Sequence, residues 1–422
     1  MPQDSKPFSF LQVSDVHLDS AFAGSKIKLP VSKRQERKQE ILESLARVFE
    51  VAKERRVDAI LIPGDLWDAE SVSSQTVNQV IELCMSVKDT FIVVAPGNHD
   101  YYSADSMYNP EALQARGMRA WPNNVHIFRS PAFQVVPHPF RDDVAFVGCA
   151  FAANVPVEER LLADPVFKEK LKPVNILLFH GSLDSYTGGD SGFPGKLTSP
   201  FSAQELHNQD FTYTAVGHYH HMTQIKFEEK LLGAYSGCLI GRSLDECGPR
   251  YCLFGTIFAK PGSGQQFEVK VEPVESDKRR IVVADFDITG KTSNEVVDQI
   301  VLNLVARGAR EGTDIVYLQL LGRYPAGGEP TYVKEKLASM YYHLEVSDDT
   351  RQDYLLQSID ERTTEGKFVA FLTNLKKEAE AAGGHVALTD GESTIDVKTI
   401  EDALYFGLDA LKQKRITIRN AD

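Results

Sequence analysis

Short apolar runs recur along the first 220 positions, and five of them stop at a small group of polar, metal-capable residues. Residues 8–13 run into Ser14-Asp15, and Ala59-Ile60-Leu61-Ile62 runs into Pro63-Gly64-Asp65. Residues 91–95 end at Pro96-Gly97-Asn98-His99-Asp100. Two more runs cover 144–149 and 175–179, the second ending at His180-Gly181; residues 212–216 end at Gly217-His218. Uniformly apolar runs predict strands of a sheet covered on both faces, since a strand wet on one side would alternate. Between them the period lengthens to that of a helix. Residues 33–56 align Ile41, Leu45, Val48, Phe49 and Ala52, and residues 76–87 align Val77, Val80, Ile81 and Cys84. Alternating strands and helices predict an α/β fold.

From 221 to 275 strand-like runs follow closely, with turns that include Pro261-Gly262-Ser263-Gly264. They predict antiparallel strands completing the first domain. Residues 273–280 are polar and charged and read as a linker. Residues 281–287, 292–309 and 315–321 then read strand, helix, strand, before a turn-rich break at 322–330. Residues 367–382 predict a helix ending at Gly383-Gly384. Residues 399–412 predict another, opened by a capping-box pattern (Thr399, Asp402) and carrying Ile400, Leu404, Leu408 and Leu411 on one face. The expected organisation is a catalytic domain over 1–275, a smaller α+β domain over 281–385 and a helical segment over 386–422.

Composition narrows the class. The 422 residues suit two or three domains, and 42% hydrophobic with 25% charged residues excludes a disordered, collagen-like or coiled-coil chain. The longest uncharged apolar stretch, 144–157, falls short of the ~18 residues of a membrane helix. The start, MPQDSKPFSF, has an early Asp4 and no apolar core, so no signal peptide is expected. Five cysteines without a C-x-x-C pair read as reduced thiols of a cytoplasmic protein.

The net charge is −13, with 27 basic against 34 acidic residues up to 275 and 19 against 25 beyond it. No basic arm is present to hold nucleic acid by charge alone; bound cations or a local patch would have to supply the attraction. Residues 26–56 carry ten basic against five acidic side chains, which reads as a solvated helix face with pairs such as Glu43–Arg47, or as such a patch.

The chemistry lies at the strand ends. Asp15, His17, Asp65, Asn98, His180, His218 and His220 are seven oxygen and nitrogen donors at five such ends, where an open α/β sheet gathers its ligands. One ion takes four to six donors, so seven suit two ions sharing a bridging carboxylate. Paired cations clamp the attacking and leaving oxygens of a phosphoryl displacement and lower the pKa of water. A set without thiolate suits Mn²⁺, Fe or Zn²⁺.

The ordered motifs Asp15-x-His17, Gly64-Asp65-x-x-Asp68, Gly97-Asn98-His99-Asp100, His180 and Gly217-His218-x-His220 resemble those of the calcineurin-like metallophosphoesterase superfamily. The resemblance implies a four-layer α/β/β/α sandwich with a smaller α+β capping domain. It places Asp15, His17, Asp65 and His220 on one ion and Asp65, Asn98, His180 and His218 on the other. His99 takes the place of the histidine that meets the scissile phosphate and protonates the leaving oxygen. Asp68 is either its orienting partner or a cap for the following helix.

Within the superfamily, Ser14-Asp15-Val16-His17-Leu18-Asp19, Gly64-Asp65-Leu66-Trp67-Asp68 and Ala95-Pro96-Gly97-Asn98-His99-Asp100 resemble the DNA-repair exonuclease branch, that of the SbcD component of the bacterial SbcCD nuclease and of the meiotic-recombination nucleases. Tyr235-Ser236-Gly237 with Gly241-Arg242 resembles its shorter, YhaO-like bacterial group. This branch implies Mn²⁺-dependent exonuclease and endonuclease action on DNA, a homodimer, and a coiled-coil ABC/SMC-type ATPase partner docked in the C-terminal region. The helix at 399–412 is then part of that dock or packs on its own domain. Tyr101 and Tyr102 stack on an unpaired base or form a wall; Arg242 meets a backbone phosphate or a structural ion-pair partner. His221 reads as a surface residue and Trp67 as core. The same metals on a small or protein-borne phosphate ester, or a non-catalytic partner-binding protein, are the alternatives.

Overall fold

The computed structural model describes residues 6–20, 22, 27–166, 172–186, 197–260, 266–325, 327–354, 360–387 and 394–413. The chain forms two compact units, Met1–Ile281 and Val282–Asp422.

The first unit opens with β1 (Phe8–Gln12), α1 (Val31–Arg55), β2 (Ala59–Ile62), α2 (Ser74–Met85), β3 (Phe91–Val94), α3 (Pro110–Ala115) and β4 (Val125–Ile127). It continues with β5 (Gln134–Pro137), β6 (Val144–Gly148), β7 (Val174–His180), α4 (Ala203–Asn208), β8 (Tyr213–Gly217), β9 (Thr223–Phe227) and β10 (Lys230–Tyr235), and closes with β11 (Tyr251–Ala259) and β12 (Phe267–Glu275). The strands form two six-stranded sheets, ordered β12-β11-β1-β2-β3-β4 and β5-β6-β7-β8-β10-β9. Alternate residues of both sheets share one core: Phe8, Phe10, Leu61 and Val93 from the first meet Phe146, Ile176, Leu178 and Ala215 from the second. On the outer face of the second sheet, Leu177, Phe179 and Val216 pack with Leu206 of α4. Helix α1 buries Ile41, Leu45, Val48, Phe49 and Ala52 beside the first sheet. The layers are therefore α/β/β/α, and strands buried on both faces need no alternation.

One polar side chain crosses the central core. Gln12 donates to the carbonyls of Ala234 (2.8 Å) and Val216 (3.3 Å) and accepts from the Tyr213 hydroxyl (2.7 Å). It ties the first sheet to the second just below the strand ends, with its hydrogen-bonding needs met.

Residues 273–280 are not the solvated linker their polarity predicts. Strand β12 runs through Pro273 to Glu275, paired antiparallel with β11. Asp277 and Arg279 are then buried against α1: Arg37 donates to Asp277 and Glu40, and Arg279 donates to Glu40 and Glu36. Charges that looked solvated satisfy one another inside the unit. The turn at 261–264 lies outside the described residues.

The second unit holds β13 (Ile281–Asp287), α5 (Ser293–Ala306), β14 (Ile315–Leu321), β15 (Arg323–Tyr324), α6 (Thr331–Leu337), β16 (His343–Asp348) and β17 (Arg351–Gln352). Strands β13, β14 and β16 form a three-stranded sheet whose Val316, Leu318 and Leu320 pack on Val296, Ile300 and Leu304 of α5. Next come α7 (Thr364–Ala381), the hairpin β18 (His385–Ala387) and β19 (Thr394–Asp396), and α8 (Val397–Gln413). Helix α8 starts two residues before Thr399, and Asp396 accepts from the Thr399 amide, so the Thr399–Asp402 pattern is not its cap. Asp402 pairs instead with Arg351 at 2.5 Å. The apolar face of α8 is spent locally: Ile400, Leu404 and Leu408 are buried with Phe368, Leu372 and Leu375 of α7, while Leu411 is exposed. The hairpin and the helix pair straddle residue 386, so the segment from there on shares a core with residues before it.

Candidate metal centre

The loops beyond β1, β2, β3, β7 and β8 meet at one end of the two sheets. The loops after β1 and β2 run side by side past the strands, with backbone bonds from Asp15 to Gly64, His17 to Asp65 and Leu18 to Leu66. To turn there, Asp15 (φ 52°), His17 (φ 49°) and Asp65 (φ 55°) adopt the left-handed backbone region that non-glycine residues avoid. Three expected ligands are thus held in costly conformations, which persist only where the surroundings impose them.

Close approach explains two of the motif glycines. A Cβ on Gly97 would lie 2.3 Å from Asp65 Oδ1, and one on Gly217 would lie 2.1 Å from the Pro63 carbonyl. Glycine lets the third and fifth loops reach the second.

All seven expected donors lie at these ends. Asp15, His17 and His220 bring one potential ligand atom each within 4.8 Å of one another, and so do Asp15, Asp65 and His180. Asp65 Oδ2 stands 3.3 Å from His180 Nε2 and 3.8 Å from His17 Nε2. The His180 and His218 rings pack edge to face at 5.3 Å, and the His218 amide donates to Asp15. Asn98 donates through Nδ2 to Asn154 Oδ1 (3.3 Å), leaving Oδ1 for the site.

Three buried polar atoms here make no hydrogen bond: His17 Nε2, His180 Nε2 and Asn98 Oδ1. An unpaired buried polar atom costs about 1–3 kcal/mol, so three within one site, beside two buried carboxylates, need compensation. Bound divalent cations would supply it, and the oxygen and nitrogen donors suit them. The other ring nitrogens are braced from behind. His180 Nδ1 lies 3.0 Å from the Pro63 carbonyl, His17 Nδ1 lies 3.0 Å from Asp68 Oδ1, and His220 Nδ1 lies 2.7 Å from Glu246 Oε1.

Burial and charge divide the titrating groups. Burial would raise Asp65, but His180, His17 and His99 pull it well below the usual carboxylate range. Burial would depress His180, but Asp65 and Asp15 lift it to about 9. Burial lowers His17 to about 4 and His218 to about 3.

His99 is half-exposed, and its Nδ1 lies 2.9 Å from Asp68 Oδ1; this bond raises its pKa against the effect of burial. Asp68 thus touches His99 and His17 at once. Tyr101 is half-buried beside the motif, and Tyr102 packs on the central core with Arg129 5.9 Å from its ring centre. Arg242 is directed inward: Nη2 donates to Glu246 Oε1 (2.7 Å) and Nε to Oε2 (3.2 Å), so its guanidinium serves an ion pair. Trp67 is buried and stacks on Tyr108 at 4.5 Å, and His221 Nε2 lies 2.6 Å from the Asp245 carbonyl.

Two residues escaped the sequence reading. Asp100 accepts from the amides of Asp65, Leu66 and Gly97 and from the Tyr108 hydroxyl, joining the second and third loops. Burial and Asp65 push its pKa to about 6. Its place as the last residue of Gly97-Asn98-His99-Asp100 was a signal; its role was not. Glu246 stands only four residues after Arg242, but nothing in that spacing showed that it would reach a metal-site histidine.

The calcineurin-like phosphoesterase family model matches residues 8–222. Among curated proteins, the uncharacterized metallophosphoesterase YhaO of Bacillus subtilis is 26% identical over 254 residues, 57% of this chain and 55% of that protein. The DNA double-strand break repair protein Mre11 of Aeropyrum pernix is 28% identical over 250 residues, 56% of this chain and 54% of that protein. The SbcD component of the nuclease SbcCD of Bacillus subtilis is 26% identical over 284 residues, 60% of this chain and 66% of that protein. The chain thus spans about half the length of the first two relatives and about two thirds of the third. With the family matched across every motif of the site, the chain belongs to the calcineurin-like phosphoesterases.

Proposed function

We propose that this protein is a Mn²⁺-dependent DNA nuclease, with exonuclease and endonuclease action, working in DNA repair. The observation that carries the reading is the set of buried donor atoms of His17, His180 and Asn98 that make no hydrogen bond and gather around Asp65, beside the His99–Asp68 pair. Relatives named for double-strand break repair and as part of a nuclease support DNA as substrate. Asp15, His17, Asp65 and His220 would hold one cation, and Asp65, Asn98, His180 and His218 the other. Cations bound there supply Lewis acidity at the phosphoryl oxygens and activate water near neutral pH.

The chain's own part is positioning and proton transfer. Asp68 accepts from His99 Nδ1, so Nε2 is the nitrogen that can donate to the departing 3′-oxygen. The raised pKa keeps that ring protonated closer to neutral pH, as a general acid requires. Tyr101, beside this histidine, is assigned to stacking on an unpaired base. Residues 281–385 are assigned to a capping, DNA-binding role, and the region beyond to an ABC/SMC-type ATPase partner. A homodimer and a cytoplasmic location complete the proposal.

Incubation of the purified protein with Mn²⁺ and single-stranded or blunt-ended DNA tests this. Cutting by the wild type that disappears in Asp65→Ala is expected; no cutting, or cutting undiminished in the variant, overturns it. A second reading, hydrolysis of a small or protein-borne phosphate ester, draws on the net charge of −13 and on the ion pairing of α1. There Arg47 pairs with Glu50 and Glu54, Arg55 with Glu272, and Lys38 with Asp19, while Lys26 lies outside the described residues. A strong preference for a chromogenic phosphomonoester over a diester favours it.

A further inference from the structure

The loop after β10 carries a buried carboxylate aimed at the metal centre from outside the family motifs. Glu246 ends a short 3₁₀ turn at Leu244–Glu246 and is 4% exposed. Its Oε1 lies 2.7 Å from His220 Nδ1. The same carboxylate accepts from Arg242 three times: from the amide (2.6 Å), Nε (3.2 Å) and Nη2 (2.7 Å). Behind the same histidine, Arg250 Nη1 donates to the His220 carbonyl (2.8 Å), as does the Cys238 amide (3.1 Å). Ring and backbone of His220 are therefore both pinned.

Arg242 Nη2 also stands 3.2 Å from this Nδ1, but the carboxylate is nearer, at 2.7 Å, and only accepts, so the proton of His220 sits on Nδ1 and Nε2 is the acceptor nitrogen of the ring. We propose that Glu246 is a positioning residue of the metal centre: it fixes the tautomer and angle of His220, and Arg242 locks the carboxylate in place. This rests on the dinuclear reading above and deepens it. The backing differs between the two cation sites. His17 and His220 are each backed by a carboxylate, of Asp68 and Glu246, whereas His180 is backed by the neutral Pro63 carbonyl. A charged partner makes an imidazole the better donor, so loss of Glu246 weakens one cation and spares the other. An ion pair that merely braced the loop would not discriminate between them.

Calorimetric titration of chelator-stripped, full-length protein with Mn²⁺ tests the assignment, with electron paramagnetic resonance reporting whether bound ions are coupled. The variants are Glu246→Gln and the double variant Arg242→Met with Glu246→Gln, the second removing the buried guanidinium that the single variant would leave without its acid. Two Mn²⁺ equivalents are expected in the wild type. In the variants one equivalent should bind with unchanged affinity and the other about 10–100-fold more weakly, with the coupled signal lost at low Mn²⁺. Two equivalents at wild-type affinity in either variant overturn the assignment, and so does equal weakening of both. A wild type that takes up no pair of ions removes the dinuclear reading itself, and with it this role for Glu246.

Discussion

The ring of His138 lies in the core of the first unit, edge-on to Phe8 (5.9 Å) and Phe91 (5.4 Å). Its Nδ1 accepts from the Phe140 amide (3.0 Å), so Nε2, 3.2 Å from the Asp58 carbonyl, carries the proton of a neutral ring. Burial, helped by Arg141, holds its pKa below the ordinary value. Above the unfolded pKa of about 6.5 both states are neutral and the group contributes nothing; as pH falls through that value the unfolded chain binds a proton first, and stability is lost. Urea midpoints at about pH 8 and about pH 5 should therefore show a smaller acid loss in His138→Gln than in wild type; identical losses would refute this. At the site, His99→Gln should lower kcat by about 10²–10⁴-fold while Mn²⁺ stoichiometry stays at wild type, if His99 has the proposed role at the leaving oxygen and is not among the proposed cation ligands. The seven candidate donors and His99 were legible as residues because such metal-capable chemistry has few substitutes. Asp100 and Glu246 were not, since a carboxylate in a turn looks the same whether it caps solvent-exposed amides or braces a buried site.

At the scale of elements, strand existence followed from apolar runs, and edges moved by one or two residues, as β3 and α2 show. The segment after β12 was misread because polarity in sequence does not say whether charges meet water or each other. Arg37 is fully buried between Asp277 and Glu40, so Asp277→Ala leaves a guanidinium without one of its two acids. A loss of about 3–5 kcal/mol is expected by chemical denaturation; a loss below ~1 kcal/mol would show the network to be dispensable. Amphipathicity in α8 was legible, but its partner was not: a stripe of Ile400, Leu404 and Leu408 suits a docking face as well as a neighbouring helix. Its burial against α7 predicts that Leu408→Ala costs about 2–5 kcal/mol in the isolated, partner-free protein, read from the unfolding midpoint.

For the whole molecule, cation binding and folding should be linked, because the donors converge only in the native chain. Mn²⁺ at ~100 times its dissociation constant should stabilise the wild type by about 2.7 kcal/mol per site, seen as a rise in Tm that a chelator reverses. Asp65→Asn should lose most of that rise. A Tm indifferent to both Mn²⁺ and chelator would count against a metal centre in this fold. Among the described residues no helix is long and apolar enough to cross a membrane, and all five cysteines are free thiols.

By itself the sequence determined which residue types stand where each strand ends, and so which candidate donors gather at the site. Strand periodicity and motif spacing are local properties that a chain carries in any conformation. The tertiary structure alone decided what braces those residues: Asp68 shared between His17 and His99, Glu246 behind His220, Asp100 between two loops, and a charged segment turned inward onto α1. These contacts join residues up to 240 positions apart, and only packing sets which distant polar groups leave water together.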